Sequence, residues 1–222
     1  MNYIRRAFAA LLLACASHGA LAVNADALIK DLNQQRSVDS NMKLAFWLPP
    51  EFFMATMPGG AAATQRKQIM TMLDGWVLIL AADAELGAMG SITPRSRADL
   101  LASTRLRIGN GSELAPVADK DLRGDLKNLC DMIKPLFKNM LGALGEAVEP
   151  IAFKVPKNVV AQSNDLATSE GRLTVSLNGE RMAWRLPLGS LLPPAIDTET
   201  GDEFPGDYRF SPYSGRPLSP KN

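Results

Sequence analysis

The feature that most constrains the fold is an unbroken apolar run near the middle of the chain. Every residue from Trp76 to Ala82 is apolar, and the run follows directly on Gly75. A strand with one solvent-exposed face alternates apolar and polar residues. A continuous apolar run of this length therefore indicates a strand buried on both faces. We therefore expect a central strand here, with the other elements packed around it.

The rest of the chain predicts both helices and strands. Leu173 to Leu177 and Glu180 to Leu186 alternate in polarity and are joined by Asn178-Gly179, the strongest short-range signal of a β-hairpin. Asp119 to Gly145 has apolar residues at helical spacing, and Pro135 is expected to kink or divide that helix. We therefore expect an α+β fold with a single mixed or mainly antiparallel sheet, packed helices and a small C-terminal appendage. Shorter helices are predicted at 26–36, 51–54, 64–73 and 96–102, and further strands at 43–48, 104–108 and 150–155.

The first 22 residues have the layout of a secretory signal peptide. Arg5 and Arg6 precede the apolar stretch from Ala7 to Ala14, and Ala20-Leu21-Ala22 supplies small residues before a cleavage point. This pattern predicts export to the periplasm or the medium. No later apolar run reaches the roughly 20 residues that a membrane-spanning helix needs, so none is expected in the mature chain.

A lipid anchor is the alternative outcome for the N-terminus. Leu12 to Cys15 resembles a bacterial lipobox, which implies acylation of Cys15 and anchoring in the envelope. Ordinary cleavage after Ala22 is preferred because the small-residue spacing is better there.

Removal of residues 1–22 restricts the chemistry that remains. His18 is the one histidine of the chain, so Ser-His-Asp catalysis, Cys-His catalysis and His-ligated metal sites are excluded from the mature protein. Cys130 is then the remaining cysteine, which excludes an internal disulfide and is expected to be a buried, inert thiol. The 24 basic residues fall to 22 against 23 acidic ones, which gives no electrostatic case for nucleic acid or for an anionic membrane surface.

A repeated turn pattern marks the C-terminal tail. Asp197-x-x-Thr200-Gly201 and Ser211-x-x-Ser214-Gly215 flank a short segment from Phe204 to Phe210. The spacing resembles the two C-x-x-C-G knuckles of a zinc ribbon, although none of the four ligand positions is a cysteine. Neutral hydroxyl groups cannot replace thiolates on zinc. The resemblance therefore implies a zinc-ribbon-like appendage without metal or other cofactor. Its structural positions would be Asp197, Thr200, Gly201, Ser211, Ser214 and Gly215.

Without a metal, the tail needs another source of stability. Burial of its aromatic rings is the expected source, together with docking of the tail on the hairpin and on Leu188 to Leu192. The acidic residues also permit a calcium site, but they lack the spacing of a calcium-binding loop, and a solvated acidic loop is expected. The aromatic residues are Phe204, Tyr208, Phe210 and Tyr213, and the acidic ones are Asp197, Glu199, Asp202, Glu203 and Asp207.

These observations predict a signal peptide at 1–22, an α+β domain at 23–194 and the docked tail at 195–222. The function we expect is non-enzymatic binding or scaffolding in the cell envelope, with another envelope protein or a small ligand as partner. No catalytic, cofactor or metal residue is assigned. The alternative is a carboxylate-dependent hydrolase that uses Asp83, Glu85 or Glu51, since paired carboxylates can divide acid and base roles. Each tryptophan is expected in the core, whereas a flat patch around Trp47, Trp76 or Trp184 would favour binding.

Overall fold

A computed structural model describes residues 24–56, 62–87, 91–156 and 163–221. The predicted signal peptide, with Cys15 and His18, lies outside these ranges. Within them, no helix combines the length and the apolar character needed to cross a bilayer.

The described chain contains five α-helices and eleven strands, with single 3₁₀ turns between some of them. The helices are α1 (Ala25–Leu32), α2 (Pro50–Thr56), α3 (Ala62–Leu73), α4 (Arg97–Ser103) and α5 (Gly124–Leu141). The longer strands are β1 (Asn33–Val38), β2 (Asn41–Trp47), β3 (Trp76–Leu86), β5 (Thr104–Ile108), β6 (Glu149–Lys154), β7 (Gly171–Leu177) and β8 (Glu180–Leu186). The short strands are β4 (Ile92–Pro94), β9 (Ala195–Ile196), β10 (Glu203–Phe204) and β11 (Ser219–Pro220).

The strands form three antiparallel sheets. The first contains β1, β2 and β3 in that order, and β4 and β6 share the far edge of β3. The second has the order β5-β7-β8, and the third, in the tail, has the order β10-β9-β11. The α+β class with antiparallel pairing is thus confirmed. The expected single sheet is instead divided, because both edges of β3 are already paired and the β7–β8 hairpin joins β5.

Strand β3 is the centre of the first sheet, as its apolar run predicts. It pairs with β2 along one edge and with β6 from Trp76 to Ala81 along the other. The side chains from Val77 to Ala82 are buried. Trp47 and Trp184 are also buried, with ring centroids 6.0 Å apart, and they join the first and second sheets in one core. These two tryptophans therefore form no exposed patch.

Two elements differ from the sequence expectation. Helix α1 ends at Leu32, because residues 33 to 38 pair with β2 as a strand although their own sequence is polar. Helix α5 is continuous through Pro135 and is followed by a 3₁₀ turn at Gly142–Ala147. The hairpin is confirmed: Asn178 (φ 46°) and Gly179 (φ 84°) both lie in the left-handed region that a tight two-residue turn requires.

Candidate functional site

The first knuckle of the tail is closed by the side chain and the carbonyl of Asp197. The Oδ1 atom of Asp197 accepts hydrogen bonds from the backbone N–H groups of Glu199 (3.1 Å) and Thr200 (3.4 Å). The Asp197 carbonyl accepts from the Gly201 N–H group (2.7 Å), and Gly201 has φ 77°. A glycine suits this place because the left-handed conformation is strained for residues with a Cβ atom.

The second knuckle repeats this arrangement around Ser211. Its hydroxyl accepts hydrogen bonds from the N–H groups of Tyr213 (3.3 Å) and Ser214 (3.2 Å). Its carbonyl accepts from the N–H group of Gly215 (2.9 Å), which has φ 70°. Asp197 and Ser211 are both buried. The two segments that share a sequence pattern therefore also share a hydrogen-bond pattern.

The cation between the two knuckles is a guanidinium group. Arg216 contacts Asp197 Oδ2 through Nη2 (2.9 Å) and Nε (3.3 Å), and it also forms an ion pair with Glu199. The Ser214 hydroxyl donates to the same Asp197 oxygen (3.4 Å), whereas the Thr200 hydroxyl donates to Asp202 (2.7 Å). The hydrogen bond from Arg216 lowers the pKa of the Asp197 carboxyl below its ordinary value. Sequence reasoning missed Arg216, although its place directly after Gly215 in an acidic tail was a usable signal.

The acidic residues of the tail have partners within the protein. Glu203 pairs with Lys221, and Asp207 lies 3.7 Å from Arg185 on β8. Across the described ranges, no three histidine, cysteine, aspartate or glutamate side chains are grouped as metal ligands would be.

The tail lies against the segment that follows β8. The N–H group of Gly206 donates to the Gly189 carbonyl (3.0 Å), and that of Lys221 donates to the Pro194 carbonyl (2.8 Å). A Cβ atom at Gly206 would lie 2.3 Å from the Pro193 carbonyl oxygen, so the approach of the two backbones requires a glycine there. Leu188, next to Gly189 in this segment, is fully buried.

The expected burial of the aromatic rings in the tail is wrong. Tyr208, Phe210 and Tyr213 are 43%, 59% and 88% exposed, and Phe204 is only partly buried. The ionic and hydrogen-bonded network around Asp197 occupies the interior instead, and the small sheet β10-β9-β11 adds backbone pairing. Polar side chains thus occupy the interior of the tail, and its aromatic rings lie at the surface.

Three of these rings form a contiguous surface, which we call the aromatic face: Phe204, Tyr208 and Tyr213. The Phe204 and Tyr208 rings stack with centroids 6.4 Å apart and planes at 14°, and the Tyr213 ring lies 6.0 Å from Phe204 on another side. Each residue sits on hydrogen-bonded backbone: Phe204 in β10, Tyr208 in a turn closed on Pro205 (3.0 Å), and Tyr213 in the second knuckle. The backbone that carries the three rings is therefore hydrogen-bonded at each of them.

The carboxylates of the hydrolase alternative do not meet in one cleft. Asp83 is fully buried and contacts Arg95 (2.9 Å), Lys43 (3.6 Å) and the Asn178 side-chain amide (3.1 Å). Glu85 is exposed near the end of β3. Glu51 lies on α2, which follows Trp47 at the end of β2. Asp83 pairs with Lys43, nearer the other end of that strand. Burial raises the pKa of Glu51, and its Oε2 atom has no hydrogen-bond partner in the described part of the chain.

Cys130 lies at the base of a charged cleft of about 220 Å³. The thiol is 4% exposed, and burial raises its pKa to about 11, so it stays protonated at neutral pH. The charges around it pair with one another, because Arg97 binds Asp119 and Glu149, Lys134 also binds Glu149, and Lys127 binds Asp131. The expected buried thiol is confirmed, and the cleft offers neither a thiolate nor an unpaired charge.

The chain matches no protein-family model, and comparison with curated proteins and with solved structures also finds no match. Any inference about function therefore rests on the geometry of the sites themselves.

Proposed function

We propose that this chain is an exported protein of the cell envelope that acts by binding another protein through the aromatic face of its tail. The observation that carries the proposal is the exposure of contiguous rings on a hydrogen-bonded support, with Tyr213 at 88%. A tail that needed its rings only for stability would bury them. The zinc-ribbon resemblance fits this proposal as a metal-free support for a binding surface.

The chemistry of the surface favours a protein partner. Tyrosine and phenylalanine supply large contact areas with few rotatable bonds, and aromatic residues and arginine are enriched at protein interfaces. Arg209 is exposed between Tyr208 and Phe210, and no carboxylate in the described ranges lies within 4 Å of its guanidinium group. It is therefore free to pair with an acidic group on the partner.

Export is the second part of the proposal and rests on residues 1–22. The intact mass of the protein isolated from its native host tests this part. A chain that begins at Val23 is expected. A mass that includes residues 1–22 would contradict export by this route, and a lipid adduct on Cys15 would replace it with the anchored alternative.

Site-specific photocrosslinking tests the binding surface. A photoreactive phenylalanine analogue placed at Tyr213 is expected to give one discrete protein adduct in the native envelope, and Tyr208→Ala in the same chain should reduce it. The matched control carries the analogue at Met132, an exposed apolar position on α5. Equal adducts from both positions, or none from Tyr213, would refute a specific protein surface. An adduct with a small molecule would instead favour the small-ligand alternative.

The hydrolase alternative stays a prediction of the sequence. Asp83 is enclosed by cations and Glu85 lies in solvent, so the structure gives these two no shared acid and base roles. Burial raises the pKa of Glu51, as a candidate acid requires. Hydrolytic activity that is lost in Glu51→Gln and kept in Glu85→Gln would favour the alternative over binding.

A further inference from the structure

The second sheet presents five arginines on one face, which we call the arginine face. Strand register places Ser176 between Arg105 and Arg181, and it places Arg172 directly opposite Arg185. Alternate side chains of a strand point to opposite sides of the sheet. The residues between them, such as Leu173, Val175, Met182 and Trp184, are buried in the core. The arginines therefore share the outer side of the sheet, where Arg107, Thr174 and Ala183 complete the surface.

Within the described ranges, carboxylates pair with little of the positive charge on this face. No carboxylate in the described ranges lies within 4 Å of the guanidinium groups of Arg105, Arg107, Arg172 or Arg181. Arg185 is 72% exposed and has one distant partner, Asp207 at 3.7 Å. Among the described residues, Arg105 donates to the carbonyls of Ala102 and Thr104 alone.

The pairing within the sheet adds to this imbalance. Like charges directly opposite on neighbouring strands lower the stability of a sheet, and Arg172 and Arg185 form such a pair. The chain as a whole has 24 basic and 23 acidic residues, so the face is a local concentration of charge on a nearly neutral molecule. An anion placed between the two arginines would relieve the repulsion.

We propose that the arginine face binds the phosphate groups of an anionic phospholipid surface. The cations of this face are all arginine, whose planar fork bonds phosphate oxygens in pairs, and the hydroxyls of Ser176 and Thr174 lie between them. By strand geometry the charged positions span about 10 Å across the strands and about 13 Å along them. On a sheet of this size, the exposed Arg172, Arg181 and Arg185 can meet a surface of headgroups together, with the half-buried Arg105 and Arg107 beside them.

A lipid surface fits this face better than nucleic acid does. Proteins that bind single strands interleave their basic groups with aromatic side chains on which bases stack. None of the eight outer residues of the three strands, from Arg105 to Arg185, is aromatic. The face also spans three strands, whereas the major groove of DNA admits a helix or a two-stranded ribbon. The arginine face shares no residue with the aromatic face, although Asp207, next to Tyr208, lies 3.7 Å from Arg185. It adds a membrane contact to the proposed protein contact.

Sedimentation with lipid vesicles tests the proposal. The isolated protein is mixed with vesicles of phosphatidylcholine that contain about one third phosphatidylglycerol, at low ionic strength. The test variant is Arg172→Gln with Arg185→Gln. The matched control is Arg66→Gln with Lys67→Gln, which removes the same charge from the exposed side of α3. All chains carry the same N-terminus, so any contribution of residues 1–22 cancels in the comparison.

The wild-type protein and the control are expected to bind these vesicles, more weakly as salt is added, and to leave pure phosphatidylcholine unbound. Each arginine near an anionic surface is worth about fivefold in affinity, so the test variant should bind about 25-fold more weakly. Its unfolding midpoint should be equal to that of the wild type or higher, because a like-charge pair is removed. Vesicle binding unchanged in the test variant would overturn the proposal. So would tighter binding to a DNA or RNA oligonucleotide through the same arginines.

Discussion

The carboxylate of Asp197 both closes the first knuckle and links it to the second. One carboxylate oxygen accepts two backbone N–H groups, and the other receives the guanidinium of Arg216 and the hydroxyl of Ser214. Buried carboxylates are stable when hydrogen bonds and a counter-charge replace the lost water. Asp197 has both, which explains how an acidic residue can occupy the interior of a small tail.

We predict that Asp197→Ala removes the protection of the first knuckle. The N–H groups of Glu199 and Thr200 lose their acceptor, and Arg216 loses the buried partner that holds it across the two knuckles. Hydrogen exchange should therefore become faster at residues 199–201 and 213–216. Glu199→Ala is the control, because it removes the other carboxylate from Arg216 and leaves the backbone acceptors in place. Equal exchange in the two variants would refute the role given to Asp197.

The same carboxylate sets a pH dependence for the tail. Because hydrogen bonding to Arg216 lowers the pKa of Asp197, its contribution to stability is complete above the ordinary value of 3.8. The contribution is lost as the pH falls through the lower value of the folded state. Protection factors of residues 199–201 should therefore stay constant from neutral pH to about pH 4 and fall only in stronger acid. A loss of protection near neutral pH would contradict the ion pair.

At the scale of elements, the turn between β7 and β8 fixes the register that aligns the arginines. Asn178 and Gly179 both have positive φ, and the Asn178 amide also donates to the buried Asp83 of the first sheet (3.1 Å). The turn therefore sets the hairpin and contacts the neighbouring sheet. A slip by one residue would exchange the buried and the arginine-bearing faces.

We predict that Gly179→Ala lowers the free energy of unfolding by about 1 to 2 kcal/mol, the cost of left-handed backbone for a residue with a Cβ atom. Space is not the cause, because a Cβ atom at this position would meet nothing within 4 Å. Gly124→Ala is the matched control: its site is equally open, lies at the start of α5 and has no positive φ. It should be neutral or stabilising by about 0.5 kcal/mol. Urea unfolding that gives equal values for both variants would contradict the strained turn.

How far the sequence predicts each element depends on how local its signal is. The β7–β8 hairpin and the buried strand β3 are both predicted, because the signal for each, Asn178-Gly179 and the apolar run, lies within its own sequence. Strand β1 is missed, since its polar residues form a strand only through pairing with β2. The arginine face is missed for the same reason: Arg172 and Arg185 are 13 positions apart, and only the strand register brings them together.

On the scale of the whole molecule, a total charge near zero does not reveal that arginines cluster on one face and that aromatic rings are exposed on the tail. The balance of basic and acidic residues in the sequence predicts no electrostatic partner, yet five arginines lie on one face of the second sheet. The sequence predicts burial of the tail rings, yet Tyr213 is exposed. The sequence shows both the arginines and the aromatic residues, but it does not show which side of the folded sheet or tail they occupy.

The central claim is that residues 195–222 belong to the main fold as a support for the aromatic face, and removal of these residues tests it. A chain that ends at Pro194 loses the bonds from Gly206 and Lys221 to the segment after β8, and it also loses the close packing of Gly206 on Pro193. We predict that its thermal midpoint falls by several degrees, at about 2 to 4 °C per kcal/mol for a chain of this size. An unchanged midpoint would show that the tail is an independent appendage and would contradict the account.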